Sequence, residues 1–294
     1  MTQPSDVLAE TGDWPVGTVA AAVLRSGGSA VDPVATTGDQ HHVFDLASVS
    51  KLISAYAVLV AVSEGCFSLE DMVGDVAVTT GHDVDGPQDA TVRELLSHAS
   101  GVGFHGRDRE KDARTRRIYS SAGFEILADL VTASVTEVGM DFASYVRDAV
   151  CEPLGIAEAE LVIEGSAGHG FRGSVDALSR LASEFLFPTL VPEALWAEAL
   201  TSQFPELDGV VPGYGRQRPC PWGLGFELHG QKSPHWLPAE MPADVAGHFG
   251  QAGTFLWFHR PSGTAAVVLT DRDFGDWAKQ RWDGFNARLW ESLT

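Results

Sequence analysis

Ser48 and Lys51 stand three residues apart in the stretch FDLASVSKLISAYAVLVAVSEG, residues 44–65. At that spacing in a helix, two side chains lie on one face, one turn apart. A hydroxyl and an amine placed this way can share a proton. A serine at a helix N-terminus also meets free backbone N–H groups, which favour a developing negative charge. Burial lowers the pKa of a lysine and lets it act as a base. The pair therefore reads as a nucleophile with its base. A serine three before a lysine is a short pattern, and its setting gives it weight. Lysine occurs only at 51, 111, 232 and 279, and one at the head of an otherwise uncharged helix is costly without a partner or a function.

The surrounding elements must hold this pair. Leu52 to Val62 is apolar all round, so its helix should be buried, with Asp45 or Ser48 as candidate cap. Upstream, Val16–Leu24, a turn at 25–29 and Ala30–Thr37 read as a hairpin. Residues 66–90 read as a loop. Thr91 with Glu94 three later starts a short helix, and Gly101 is its candidate stop. The charged segment 105–117 reads as a surface loop, and its Arg-rich part, 107–117, as a solvated rim of a cleft, with room for an anionic substrate. Helices are expected at 121–134, 142–150, 174–187 and 192–200. Beyond 205, Trp222–His229, Gly253–Arg260 and Gly263–Thr270 read as strands, the last two joined by the two-residue turn Pro261-Ser262. A helix near Asp276–Leu293 ends the chain, with Trp282, Phe285, Leu289 and Leu293 on one face. Strands at both ends and helices between them predict an α+β fold in three layers, α/β/α. One antiparallel sheet is built from both chain ends and flanked by helices, with an all-helical subdomain inserted. The expected division is 1–65 with 205–294 as the sheet domain and 66–204 as the helical domain, with the site in the cleft between them.

Composition narrows the function classes. The 294 residues are 44% hydrophobic and 20% charged, which suits a folded protein with a sizeable core. A formal net charge of −20 argues against nucleic acid and against anionic membrane surfaces. The N-terminus MTQPSDVLAETGDWP has neither a basic nor an apolar signal region, and no apolar run is long enough to span a bilayer. The expectation is a cytoplasmic protein without membrane contact. Cys66, Cys151 and Cys220 are scattered and read as reduced thiols. His41-His42 and His82 with Asp85 lack ligand spacing, so no metal is expected. His98 reads as a structural histidine. The aromatic residues beyond 222 read as core, with Trp222 or Trp236 as candidate walls of an acyl pocket.

Several segments resemble the class C β-lactamase and D-Ala-D-Ala carboxypeptidase family of serine hydrolases, which also holds esterases and D-amino-acid peptidases. FDLASVSK resembles its Ser-x-x-Lys motif, TVRELLSHASGV the helix and loop that follow, and IYSSAGFEILADLV its Tyr-x-Asn motif. FASYVRDAVCEPLGI resembles the segment closing the helical domain, and GHFGQAG the Lys/His-x-Gly motif on the strand lining the site. The five occur in the family's order. The resemblance implies a β-lactamase/transpeptidase-like fold and an acyl-enzyme on Ser48. Lys51 would take the Ser48 proton, directly or through Tyr119, whose phenol pKa Lys51 would lower. His248 would orient Tyr119 or a substrate carboxylate. The backbone N–H groups of Ser48 and Gln251 would form the oxyanion hole, and Gly250 would let the strand approach the substrate closely. No metal or organic cofactor is implied.

One position departs from the family. Ser121 stands where the β-lactamases and carboxypeptidases have Asn, whose amide grips the substrate side chain. A hydroxyl offers fewer and differently placed hydrogen bonds. The expected function is therefore a serine hydrolase acting on a small-molecule ester or amide, an esterase or small-molecule amidase/peptidase. The alternatives are a true β-lactamase or D-Ala-D-Ala carboxypeptidase with a β-lactam or peptide substrate, an acyltransferase using the same acyl-enzyme, and a silent relative that only binds an acyl ligand.

Overall fold

The computed structural model describes residues 2–28 and 31–294. Helix α1 (Pro4–Ala9) precedes strands β1 (Val19–Ser26) and β2 (Val31–Thr37), which pair antiparallel. The expected hairpin is present, although Ser29 and Ala30 lie outside the described residues. Next come the two-residue strand β3 (Phe44–Asp45), a 3₁₀ turn at Ala47–Val49 and α2 (Ser50–Ser63). The helix expected from Phe44 thus begins later. Ser48 sits in the 3₁₀ turn, and neither Asp45 nor Ser48 caps α2, whose N-cap is Val49 without a side-chain hydrogen bond. Ala47 has φ of 45°, a left-handed conformation that a right-handed helix cannot run through.

Residues 66–90 are more than a loop, because they contain α3 (Val73–Thr80). Helix α4 (Val92–Leu96) carries the expected capping box: the Thr91 hydroxyl accepts from Glu94 N, and the Glu94 carboxylate accepts from Thr91 N. It ends at Leu96, so Gly101 lies beyond its stop. Helices α5 (Ala122–Val135) and α6 (Phe142–Val146), the second running into a π turn at Arg147–Cys151, lead to the short strands β4 (Leu161–Val162) and β5 (Arg172–Gly173). Helices α7 (Val175–Leu186) and α8 (Glu193–Ala199) and the small hairpin β6 (Gly209–Val211) and β7 (Gly215–Gln217) follow. The chain closes with β8 (Glu227–Leu228), β9 (Ala246–Gly250), β10 (Thr254–His259), β11 (Thr264–Thr270), α9 (Asp276–Lys279) and α10 (Trp282–Leu293). Of the strand expected at Trp222–His229, only β8 joins the main sheet, while Trp222 turns back to form an isolated antiparallel bridge with Glu227. The β10–β11 link uses four residues, because His259 pairs with Thr264 across Arg260–Gly263. The single terminal helix is two helices.

The main sheet runs β2-β1-β11-β10-β9-β8, every pair antiparallel, so strands from both ends of the chain lie side by side. The fold is α+β, as expected. Strands β9, β10 and β11 are buried at every position. Successive side chains of a strand point to opposite faces, so both faces must be covered. Ala265, Val267 and Leu269 pack into the cluster that contains α2 and α7, while Ala266 and Val268 pack with Trp282, Phe285 and Leu289 of α10. The sheet is the middle of three layers. Helix α2 is buried from Ser50 to Ala61, so Lys51 enters the interior with it.

Candidate active site

Lys51 is fully buried, and its amine has three neighbours. Ser48 Oγ lies 3.3 Å away, Ser121 Oγ 3.0 Å and the Gly168 carbonyl oxygen 2.7 Å. The Tyr119 ring covers it, with its centroid at 4.6 Å. Burial lowers the lysine pKa to about 7, although the Glu125 charge acts in the opposite sense. The neutral amine has two N–H donors and one lone pair. A carbonyl can only accept, so one N–H goes to Gly168; with the second to Ser121, the lone pair is left for the Ser48 hydroxyl proton. Gly168 is forced to be glycine, because a Cβ there would stand 2.9 Å from the Ser121 Cβ.

Tyr119 joins this group from the loop before α5. Its hydroxyl is 3.2 Å from His248 Nε2, and His248 Nδ1 is 2.6 Å from the Phe249 carbonyl. Nδ1 therefore carries the histidine proton, and Nε2 accepts from Tyr119. Burial and the nearby Lys51 lower the His248 pKa to about 4, so the ring is neutral near pH 7. The expectation for Tyr119 itself is corrected. Its pKa is raised, not lowered: burial of the phenolate dominates over the opposing hydrogen bond with Ser48, and the Glu227 charge adds to the rise. With its own pKa lowered to about 7, Lys51 carries only part of a charge near pH 7 and does not reverse this. Tyr119 is a neutral phenol at the site, and Lys51 is the stronger base.

The turn holding Ser48 is clamped by the sheet. A Cβ on Gly250, at the end of β9, would stand 2.4 Å from the Leu46 carbonyl oxygen, and the Thr254 hydroxyl donates to that same oxygen at 3.0 Å. The close approach that Gly250 allows is thus to the segment before Ser48. This clamp holds Ala47 in its left-handed conformation, a strain of about 1–3 kcal/mol of the kind found at functional sites. Gln251 follows at the exposed turn, fixed to Phe274 by its side chain at 3.2 Å and by its own carbonyl, which accepts from Phe274 N at 2.6 Å. Ser121, expected among the substrate-binding residues, is buried with its hydroxyl 3.0 Å from the Lys51 amine.

Three further residues shape the site without a recognisable motif. His98, with φ of 58°, packs on Tyr119 and Trp222 at centroid distances of 4.8 and 4.9 Å. Its Nδ1 accepts from Ser120 N, so Nε2 carries the proton, without a partner among the described residues. Arg117 is buried and donates only to backbone carbonyls: Ser97, Cys220 at 2.7 Å, and Gln203 and Phe204 at 2.7 and 3.3 Å. It ties together the segments that carry His98, Tyr119 and Trp222, and burial lowers its pKa to about 10. Its place in the charged run 105–117 disguised it as a surface residue. Glu227 is buried beneath them and accepts from Lys232 at 3.0 Å, His235 at 2.9 Å and Trp236 at 3.0 Å. Burial alone would raise its pKa, but Lys232 and His235 hold it well below the usual carboxylate range. An acid inside the apolar run WGLGFELH is the signal that marks it. Of the remaining histidines, His41 pairs with Glu160 at 2.9 Å, and the ligand atoms of these two and Asp176 lie within 4.8 Å of one another at a largely exposed place.

The family model described as Beta-lactamase matches residues 10–288. No curated protein matches the chain. Among solved structures, a β-lactamase from Mycobacterium bovis is similar with a TM-score of 0.87 and 41% identity, covering 98% of this chain and 99% of that one. A family VIII carboxylesterase is similar with a TM-score of 0.74 and 16% identity over 96% of this chain and 95% of that one. A D-stereospecific amidohydrolase from Streptomyces sp. reaches a TM-score of 0.70 and 15% identity over 99% and 97%. No helix of the described residues is long and apolar enough to cross a membrane.

Proposed function

The chain belongs to the β-lactamase family, and from that premise we propose that it is a serine hydrolase that forms an acyl-enzyme on Ser48 and prefers small-molecule esters. The observation that carries this reading is Lys51: a fully buried amine with no ion pair among the described residues and Ser48 Oγ at 3.3 Å. In the first step Ser48 Oγ bonds to the acyl carbon while its proton passes to Lys51 Nζ. The negative oxygen that forms is met by the N–H groups of Ser48 and Gln251. Collapse breaks the bond to the alcohol. The Tyr119 hydroxyl turns from His248, gives its proton to the leaving oxygen and receives in exchange the proton held on Lys51. Water then repeats the sequence on the acyl-enzyme, and Lys51 again takes the proton. The site sits at the seam that we place between 1–65 with 205–294 and 66–204.

Ester preference rests on Ser121. Its hydroxyl is engaged by Lys51, so no side-chain amide projects from this position toward a β-lactam or peptide substrate. A second reading, β-lactam hydrolysis, is favoured by the relative from Mycobacterium bovis, which is described as a β-lactamase. The test of the nucleophile is labelling with a fluorophosphonate followed by peptide mapping. One adduct, on Ser48, is expected; an adduct on Ser50 or Ser100 instead would sink the assignment.

A further inference from the structure

A cavity of about 280 Å³ opens beside Tyr119. Its apolar walls are Phe104, Ile118, Val210 and Pro212. Phe104 stacks on the Tyr119 ring, with centroids 5.8 Å apart and planes at 29°. Phe104 and Val210 are 39% and 43% exposed, which is unusual for large apolar side chains in this protein. Exposed apolar side chains that converge on one concave place mark a ligand contact, whereas scattered ones do not.

The charge around this cavity has the opposite sign to the chain as a whole. Lys111 and Arg116 line it, and neither forms an ion pair or a side-chain hydrogen bond among the described residues. Arg117 also lines the wall, but its guanidinium is buried, donates to interior carbonyls and feels the Glu206 charge, so it is not counted with them. Glu110 is the single acidic group that lines the cavity. In a chain of net charge −20, two unpaired cations against one carboxylate at this cavity form a local positive field.

We propose that this cavity receives an apolar group ending in a carboxylate, so that the preferred substrates are esters with a negatively charged tail. The apolar part lies between Phe104 and Val210, and the carboxylate meets Lys111 and Arg116 at the mouth. The proposal rests on the hydrolase reading above and adds the substrate class. Exposed ion pairs each contribute modestly, so the two together give a preference of about five- to tenfold.

The experiment compares kcat/KM for matched esters. One arm sets the 4-nitrophenyl monoester of adipic acid against 4-nitrophenyl hexanoate, placing the charge on the acyl chain. The other sets 4-carboxyphenyl hexanoate against 4-carbamoylphenyl hexanoate, placing it on the alcohol. The expected result is a five- to tenfold preference for the charged ester in one arm, which tells which part of the ester enters the cavity. That preference should shrink as salt rises and fall to near one in the Lys111→Ala/Arg116→Ala variant. Equal rates in both arms, or a preference that survives the double substitution, would overturn the proposal while the hydrolase reading stands. Failure to cleave any of the four esters would remove both.

Discussion

The Tyr119 hydroxyl donates to His248 Nε2 at 3.2 Å, because the only proton on the His248 ring is given to the Phe249 carbonyl. The phenol proton therefore points away from Ser48, and the phenol oxygen turns its lone pairs toward the site. Tyr119, a neutral phenol, and Lys51, an amine with a lowered pKa, are thus both hydrogen-bond neighbours of the Ser48 hydroxyl.

If they form one relay, their removal should not be additive. Lys51→Ala and Tyr119→Phe are each expected to lower kcat for ester hydrolysis by ~10²–10⁴-fold with little change in KM. The double variant should be scarcely slower than the slower single one. Losses that multiply would show two independent contributions.

The rate should follow the titration of Lys51. Only its neutral form accepts the serine proton, and its pKa is lowered to about 7. We expect kcat/KM to rise with pH through about 7 and to level off above it. His248, held at about 4, stays neutral across this limb, and Tyr119, pushed up by burial, adds no fall at mildly alkaline pH. A rate that declines above pH 7 would mean that the ammonium form is the active one.

Ser121 should set the ester preference. Wild type is expected to cleave 4-nitrophenyl butyrate with a higher kcat/KM than nitrocefin. Ser121→Asn adds an amide donor while keeping an acceptor for Lys51, and it should shift that ratio toward nitrocefin. A melting curve checks the tight fit against Gly168. An unchanged ratio in a folded variant would leave ester preference without its main support.

The buried pair beneath the site predicts a stability effect. Lys232 and Glu227 are both buried and 3.0 Å apart. Lys232→Met leaves the Glu227 charge facing only His235 and Trp236, and should cost about 3–5 kcal/mol. Adding Glu227→Gln should restore much of that loss. A single variant that unfolds at the wild-type denaturant midpoint would show that the carboxylate finds compensation elsewhere.

How much could be read from the sequence follows from how local each feature is. The Ser48–Lys51 spacing, the apolar length of α2, the Thr91–Glu94 capping box and the strand runs at both ends are set within a turn or two of chain, where periodicity and side-chain type decide the outcome. They were enough to predict the antiparallel sheet and the α+β class. Short β8 and α3 escaped because a few residues of mixed pattern do not separate strand, helix and loop.

The chemistry of the site was decided by the tertiary structure. The Gly168 carbonyl reaches Lys51 from 117 residues away and acts through its backbone, which no side-chain pattern encodes. Ser121 meets Lys51 because the start of α5 packs against Gly168. The Tyr119 pKa turns on the competition between burial and nearby charge, and burial is a property of the assembled core. Ala47 is held in a left-handed turn by Gly250 and Thr254, more than two hundred residues later. The sequence by itself determined which residues are the candidate nucleophile and base. Which of them holds the proton was left to desolvation and to hydrogen bonds between distant segments, and both exist only once the chain is packed.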